Sequence, residues 1–133
     1  MKKIDTLCLV DDDSIFQFLT SEVIKSTDLV DRIELFSNGY EAIEFLKSVQ
    51  DRSEELPEVI FLDLFMPVMD GWNFLEEYIL LKPKLTKKIT IYIVSSSIDP
   101  VDIKRAKAIT EVTDYIIKPI TKDKFISTIR NLA

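Results

Sequence analysis

Histidine is missing from all 133 residues. Its absence rules out Ser-His-Asp and Cys-His nucleophilic catalysis and any imidazole-ligated metal. Cysteine occurs once, as Cys8, so neither an internal disulfide nor a cysteine zinc site is available. Cys8 lies inside an apolar run and reads as a small buried hydrophobe, with a reducing cytoplasm as the simplest location. The two glycines, Gly39 and Gly71, leave no room for a G-x-G-x-x-G turn or a Walker A loop, which argues against nucleotide binding. No apolar stretch is long enough to span a bilayer, and Met1 to Asp5 leads straight into a strand without a signal-peptide core. The net charge of -6 argues against direct contact with nucleic acid, because phosphate backbones select clustered Lys and Arg. Lys82, Lys84, Lys87 and Lys88 form the densest basic group and read as a solvated loop.

At 47% hydrophobic the chain can bury a full core, and its length suits one domain, 1–133. Strand and helix patterns alternate five times. Ile4–Val10 is a strand, and residues 14 to about 27 a helix. Ser14 and Gln17 have capping-box spacing there, and Phe16, Leu19, Val23 and Ile24 form an apolar stripe. A short strand covers 32–36. Asn38 caps a helix to about residue 50, with Ala42, Ile43, Phe45, Leu46 and Val49 on its core face.

After a polar loop, 51–58, a strand covers 59–63. A turn-rich segment, 66–71, then opens a helix to about residue 81. Its apolar positions include Trp72, Leu75 and Ile79, and Pro83 marks its end. A strand over 89–95 precedes Asp99-Pro100, which reads as N-cap and first helical position of a helix to about residue 110. A strand over 113–117 and a helix capped by Thr121 and ending near Leu132 complete the chain. Five βα units in a row predict a doubly wound, five-stranded parallel sheet with helices on both faces.

Chemistry-bearing residues fall at the ends of the apolar strands. Asp11, Asp12 and Asp13 follow Leu7-Cys8-Leu9-Val10. Asp63 follows Val59-Ile60-Phe61-Leu62. Lys118 follows Tyr115-Ile116-Ile117 and precedes Pro119. In an open parallel sheet the ligand crevice lies outside the carboxyl ends of the strands, so these groups converge on one site. Asp12 and Asp63 suit Mg²⁺, with Asp11 acting directly or through a water. A lysine there meets the charge of a phosphoryl group, and an aspartate there serves as a nucleophile on phosphorus. Asp63 is the candidate nucleophile. Ser95 ends the fourth strand, where its hydroxyl can bond a phosphoryl oxygen, with Ser96 and Ser97 as adjacent candidates. Each piece alone reads as a turn or a cap; their placement on one sheet edge is the signal.

The combination resembles the receiver domain of two-component response regulators. It rests on Leu9-Val10-Asp11-Asp12-Asp13, on Phe61-Leu62-Asp63 with Met66-Pro67-Val68-Met69-Asp70-Gly71, on Val94-Ser95-Ser96 and on Tyr115-Ile116-Ile117-Lys118-Pro119. Asn38-Gly39-Tyr40-Glu41-Ala42 is similar to the family's opening of the second helix. The resemblance covers nearly the whole chain in order. It implies the flavodoxin-like strand order 2-1-3-4-5. It also implies that Asp63 accepts a phosphoryl group from a sensor histidine kinase or a histidine phosphotransfer protein. The phosphohistidine must belong to that partner, since this chain has none. Asp11, Asp12, Asp63 and the backbone carbonyl of Phe65 would hold Mg²⁺. Ser95 takes the family's switch hydroxyl position, Tyr115 its switch aromatic, and Lys118 contacts the phosphoryl group. The Lys118-Pro119 bond is commonly cis in this family.

On that reading, phosphorylation draws Ser95 toward the phosphate and lets Tyr115 turn inward, reshaping the face around the fourth helix, fifth strand and fifth helix. A downstream protein target would bind that face, and the chain would be a monomer or a phosphorylation-dependent dimer. The segment 109–114 departs from the family's common Gly-Ala. Phe65, bulky at its position, is expected to shield the acyl phosphate from water. Two rivals remain. A phosphatase of the haloacid-dehalogenase type wants a second acid two residues after the nucleophile, where Phe65 stands. A receiver-shaped interaction module that is never phosphorylated is the alternative that the intact acid cluster disfavours.

Overall fold

Successive side chains of a strand point to opposite faces, and both faces of this sheet are apolar. In the computed structural model, which describes residues 3–132, the strands are β1 (Ile4–Val10), β2 (Val30–Phe36), β3 (Val59–Leu62), β4 (Thr90–Ser95) and β5 (Val112–Ile117). The helices between and after them are α1 (Ser14–Ser26), α2 (Gly39–Ser48), α3 (Gly71–Leu81), α4 (Pro100–Lys107) and α5 (Lys122–Arg130). All strand pairs are parallel, in the order β2-β1-β3-β4-β5. The predicted α/β architecture and strand order hold.

Cys8, Val10, Ile60, Leu62, Ile91 and Ile93 face one side of the sheet, against side chains of α2 and α3 and Ala106 of α4. Leu7, Leu9, Phe61 and Val94 face the other, against Ile24 of α1 and Phe125 and Ile129 of α5. Phe61 packs edge-on against both Tyr92 and Phe125. Burying a side chain of this size contributes about 1.5–3 kcal/mol, so the central strand is anchored on both faces. Cys8 is buried, and burial pushes its thiol far above the ordinary range.

Several local expectations are corrected. Asp13, not Ser14, caps α1, its side chain accepting from the N–H groups of Ile15 and Phe16. Gln17 belongs to no capping box. It is buried, and its Nε2 donates to the carbonyls of Asp11 and Phe36. The packed face of α1 is Gln17, Thr20, Ser21 and Ile24, while Leu19 is exposed. Gln17 is admitted there because it supplies a donor to the Asp11 carbonyl and a second donor to the Phe36 carbonyl, which already accepts from the Asp11 N–H. In α3, Ile79 is exposed and the buried face runs through Phe74, Leu75, Tyr78 and Leu81. Pro83 sits inside a 3₁₀ turn, Lys82–Lys84, that continues the chain from α3.

Helix α4 stops at Lys107, short of residue 110. The N–H groups of Ala108 and Ile109 fold back onto carbonyls of the last turn. The strand expected over 59–63 ends at Leu62, and β2 and β5 begin earlier than expected, at Val30 and Val112. The loop 51–58 is polar except for Leu56 and Pro57, both buried, and Leu56 joins the α2–α3 core.

Candidate functional site

Strand register sets the site. Val10 is level with Leu62 across β1 and β3, so the next residues, Asp11 and Asp63, stand side by side. The Asp63 N–H donates to the Val10 carbonyl at 3.0 Å. On the other flank Ser95 is level with Ile117, and the Lys118 N–H donates to the Ser95 carbonyl. Four residues from four different segments thus meet at one sheet edge because their strands stop at the same height.

Oxygen atoms of Asp11, Asp12 and Asp63 lie within 4.8 Å of one another. Asp11 and Asp63 are buried, and Asp12 is exposed. One Asp11 oxygen accepts from the Asp13 N–H at 2.9 Å, and Asp63 Oδ1 accepts from the Leu64 N–H at 2.8 Å. Lys118 Nζ lies 2.8 Å from Asp11 Oδ2 and 3.3 Å from Asp63 Oδ2. The same ammonium sits 4.2 Å from the centroid of the Phe16 ring, within the range of cation–π attraction.

Burial and the neighbouring Asp11 charge raise the Asp63 carboxyl above its ordinary value; Lys118 and the Leu64 N–H oppose this but do not cancel it. Burial lowers the Lys118 ammonium, but the contacts to Asp11 and Asp63 outweigh it and leave the group raised. Three carboxylates and one lysine are therefore an electrostatically incomplete set. Hard oxygen donors at this spacing, two of them buried, fit a small divalent cation, which would relieve the repulsion that Lys118 leaves.

The two glycines close the back of the site. A Cβ at Gly71 would stand 2.3 Å from the Asp63 carbonyl oxygen, and one at Gly39 would stand 2.9 Å from that of Met69. Neither glycine has positive φ; both are required by close backbone approach. The left-handed residue of this loop is Val68, at φ 68° and 83% exposed.

The other expected residues are placed as follows. Ser95 is buried, and its Oγ accepts from the Ser97 N–H at 3.1 Å. Ser96 is exposed. Ser97 directs its hydroxyl to Asp102 of α4, at 2.7 Å. Tyr115 is already buried, its hydroxyl donating to the Ser97 carbonyl at 2.9 Å, so its inward position does not await a phosphoryl group. The Lys118-Pro119 bond is cis. Phe65, two residues after Asp63, exposes its ring. Three contributors were not foreseen as such: Gln17, Phe16 and Gly71. Only Gly71, adjacent to the Met-Pro turn, carried a readable signal. A cavity of about 1140 Å³ lies at the opposite edge of the sheet, between Ile4, Tyr92 and Leu132, and none of the site residues lines it.

The family of the response regulator receiver domain matches residues 7–130. A two-component response regulator from Cytophaga hutchinsonii has a solved structure that is 30% identical, covers 97% of this chain and 96% of its own, and superposes with a TM-score of 0.87. A probable methanogenesis regulatory protein of Methanothrix harundinacea is 24% identical over 95% of this chain and 79% of its own length. A protein-glutamate methylesterase/protein-glutamine glutaminase of Aliivibrio fischeri is 41% identical over 52% of this chain, which corresponds to only 17% of that enzyme.

Proposed function

This chain belongs to the response regulator receiver domain family, and from that premise we propose that Asp63 is the phosphoacceptor of a switch loaded by a partner's phosphohistidine. Receiver domains are signalling phosphoacceptors in two-component systems. The observation that carries the residue assignment is the Asp11–Lys118–Asp63 contact at the carboxyl ends of adjoining strands.

The Leu64 N–H fixes the Asp63 carboxylate at one oxygen. A carboxylate oxygen attacks phosphorus; an O–P bond forms as the N–P bond to the partner's imidazole breaks, and the imidazole leaves. Lys118 follows the charge onto the phosphoryl oxygens, and Ser95, with donors at Ser96, bonds another of them. Asp11, Asp12, Asp63 and the Phe65 carbonyl would hold Mg²⁺, which when bound neutralises charge on the transferring group.

The donor is a sensor histidine kinase or a histidine phosphotransfer protein. Ile15, Phe18 and Leu19 expose an apolar face on α1, next in sequence to Asp12, and suit a helical donor brought close to Asp63. Ile98, Val101 and Ile117, exposed on and beside α4 and β5, suit a downstream protein target or a second phosphorylated copy. Among the described residues no helix is long and apolar enough to cross a membrane, and the cytoplasm is the location this function requires.

Intact mass after incubation with acetyl phosphate, with and without Mg²⁺, tests the reading. The expected result is a labile, Mg²⁺-dependent gain of one phosphoryl group that Asp63→Asn abolishes. A gain that persists in Asp63→Asn would overturn it, and no gain from either acetyl phosphate or a phosphorylated kinase would favour an interaction module that works without phosphorylation.

A further inference from the structure

Ser97 uses every polar group it has on a different element. Its N–H donates to Ser95 Oγ at the end of β4. Its carbonyl accepts from the Tyr115 hydroxyl of β5. Its own hydroxyl donates to Asp102 Oδ2 in the first turn of α4, at 2.7 Å, the length of a strong hydrogen bond to a carboxylate. The Asp99 N–H, at the N-cap of the same helix, reaches Ser97 Oγ at 3.3 Å. Helix α4 has only eight residues, and its apolar packing is limited to buried Ala106 and partly buried Ile103, so it is held weakly. Its second tether is Arg105, one turn beyond Asp102, whose guanidinium lies 4.0 Å over the ring of Trp72 on α3. Trp72 is the single tryptophan of the chain.

We propose that the Ser97–Asp102 hydrogen bond is the link through which the state of Ser95 sets the position of α4. The inference rests on the functional reading above, and deepens it. When Ser95 turns to a phosphoryl oxygen, the Ser97 N–H follows or loses its acceptor. Tyr115 fixes the Ser97 carbonyl, so the peptide pivots rather than translates. The displacement then passes through the Ser97 hydroxyl to Asp102, and α4 moves against α3 at the Arg105–Trp72 contact. Ser97 and Asp102 are positioning residues: neither belongs to the acid cluster.

The test has two arms on the whole chain. Without any ligand, amide exchange of residues 100–107 is measured in wild type, Ser97→Ala, Asp102→Asn and the double variant. Each single variant is expected to raise exchange about tenfold, the scale of one hydrogen bond to a charged group, and the double variant no further. Wild-type exchange in either single variant, or additive effects, would overturn the link. In the second arm Trp72 emission is followed as Mg²⁺ and beryllofluoride, a phosphoryl analogue, are added, with ¹⁹F NMR reporting occupancy. Wild type and Ser97→Thr, which keeps the hydroxyl, should shift emission on binding, while Asp102→Asn should bind the analogue and lose most of the shift. A full shift in Asp102→Asn, or none in occupied wild type, overturns the proposal. Failure of the analogue to bind wild type instead counts against the phosphoacceptor reading, and leaves the exchange arm to decide the link.

Discussion

Lys118 reaches past Asp63 to Asp11: its ammonium is 2.8 Å from Asp11 Oδ2 and 3.3 Å from Asp63 Oδ2. The more deeply buried carboxylate takes the better ion pair. Asp63 is left the less compensated of the two, which suits a group that must acquire a phosphoryl group rather than keep a lysine.

This imbalance has a pH signature. The folded state raises the Asp63 carboxyl through burial and the Asp11 charge, so it binds a proton more readily than the unfolded chain, and ionising Asp63 lowers stability. In Mg²⁺-free buffer at neutral pH, Asp63→Asn should therefore melt higher than wild type. The gap should shrink as pH falls through the raised value and past the ordinary 3.8, below which both states are protonated. Thermal melts of the pair across that range check it, and a gap that widens on acidification would contradict the sign. Saturating Mg²⁺ should close the gap at neutral pH by stabilising wild type, by about 2.7 kcal/mol at one hundred times its Kd.

Gly71→Ala should damage fold and chemistry together. Its Cβ would meet the Asp63 carbonyl oxygen at 2.3 Å and the Leu64 Cα at 2.9 Å, and neither atom belongs to a flexible side chain. A loss of about 2 kcal/mol or more is expected in urea unfolding. Phosphoryl uptake should slow even where the variant is fully folded, because Asp63 is what must shift.

Gln17→Leu should cost about 1–3 kcal/mol, since the Asp11 carbonyl loses its donor in a buried place while that of Phe36 keeps the Asp11 N–H. The urea midpoint should fall with little change in slope. A neutral result would mean that water replaces the amide.

Val68→Gly should stabilise the chain. A β-branched residue at φ 68° costs about 1 kcal/mol or more, and its exposed side chain returns little packing. A raised urea midpoint is expected, against the usual destabilising effect of glycine in a loop.

Phe65→Asn should speed loss of the phosphoryl group severalfold without altering its uptake. The measurement is decay of the phosphorylated mass after removal of the donor. An unchanged decay rate would show that the ring shields nothing.

Much of this was readable beforehand because buried parallel strands are near-continuous apolar runs. The residue after each run is then placed at the ligand edge, which located Asp11, Asp63 and Lys118. Helix faces were less legible. In α1 the period-3.6 pattern contains both an apolar stripe, with Leu19, and a polar one, with Gln17, Thr20 and Ser21. The packed face takes Gln17, Thr20 and Ser21 together with Ile24 of the apolar stripe and leaves Leu19 exposed, because Gln17 satisfies backbone groups that no helix-level rule can see. Ile79 in α3 fails for a related reason: its helix is apolar over a wider arc than the sheet covers. Leu56 was hidden within charged neighbours. The Ser97–Asp102 bond could not be foreseen, since it joins a loop to a helix that starts three residues on.

The sheet order has a thermal corollary. Asp11 and Asp63 follow β1 and β3, which have strands on both sides, whereas Lys118 follows β5, at the edge. Edge strands fray before central ones. On warming, the cation therefore leaves first and the acids stay clustered, so the half-melted site is one that still gathers cations but has lost its hold on a phosphoryl group.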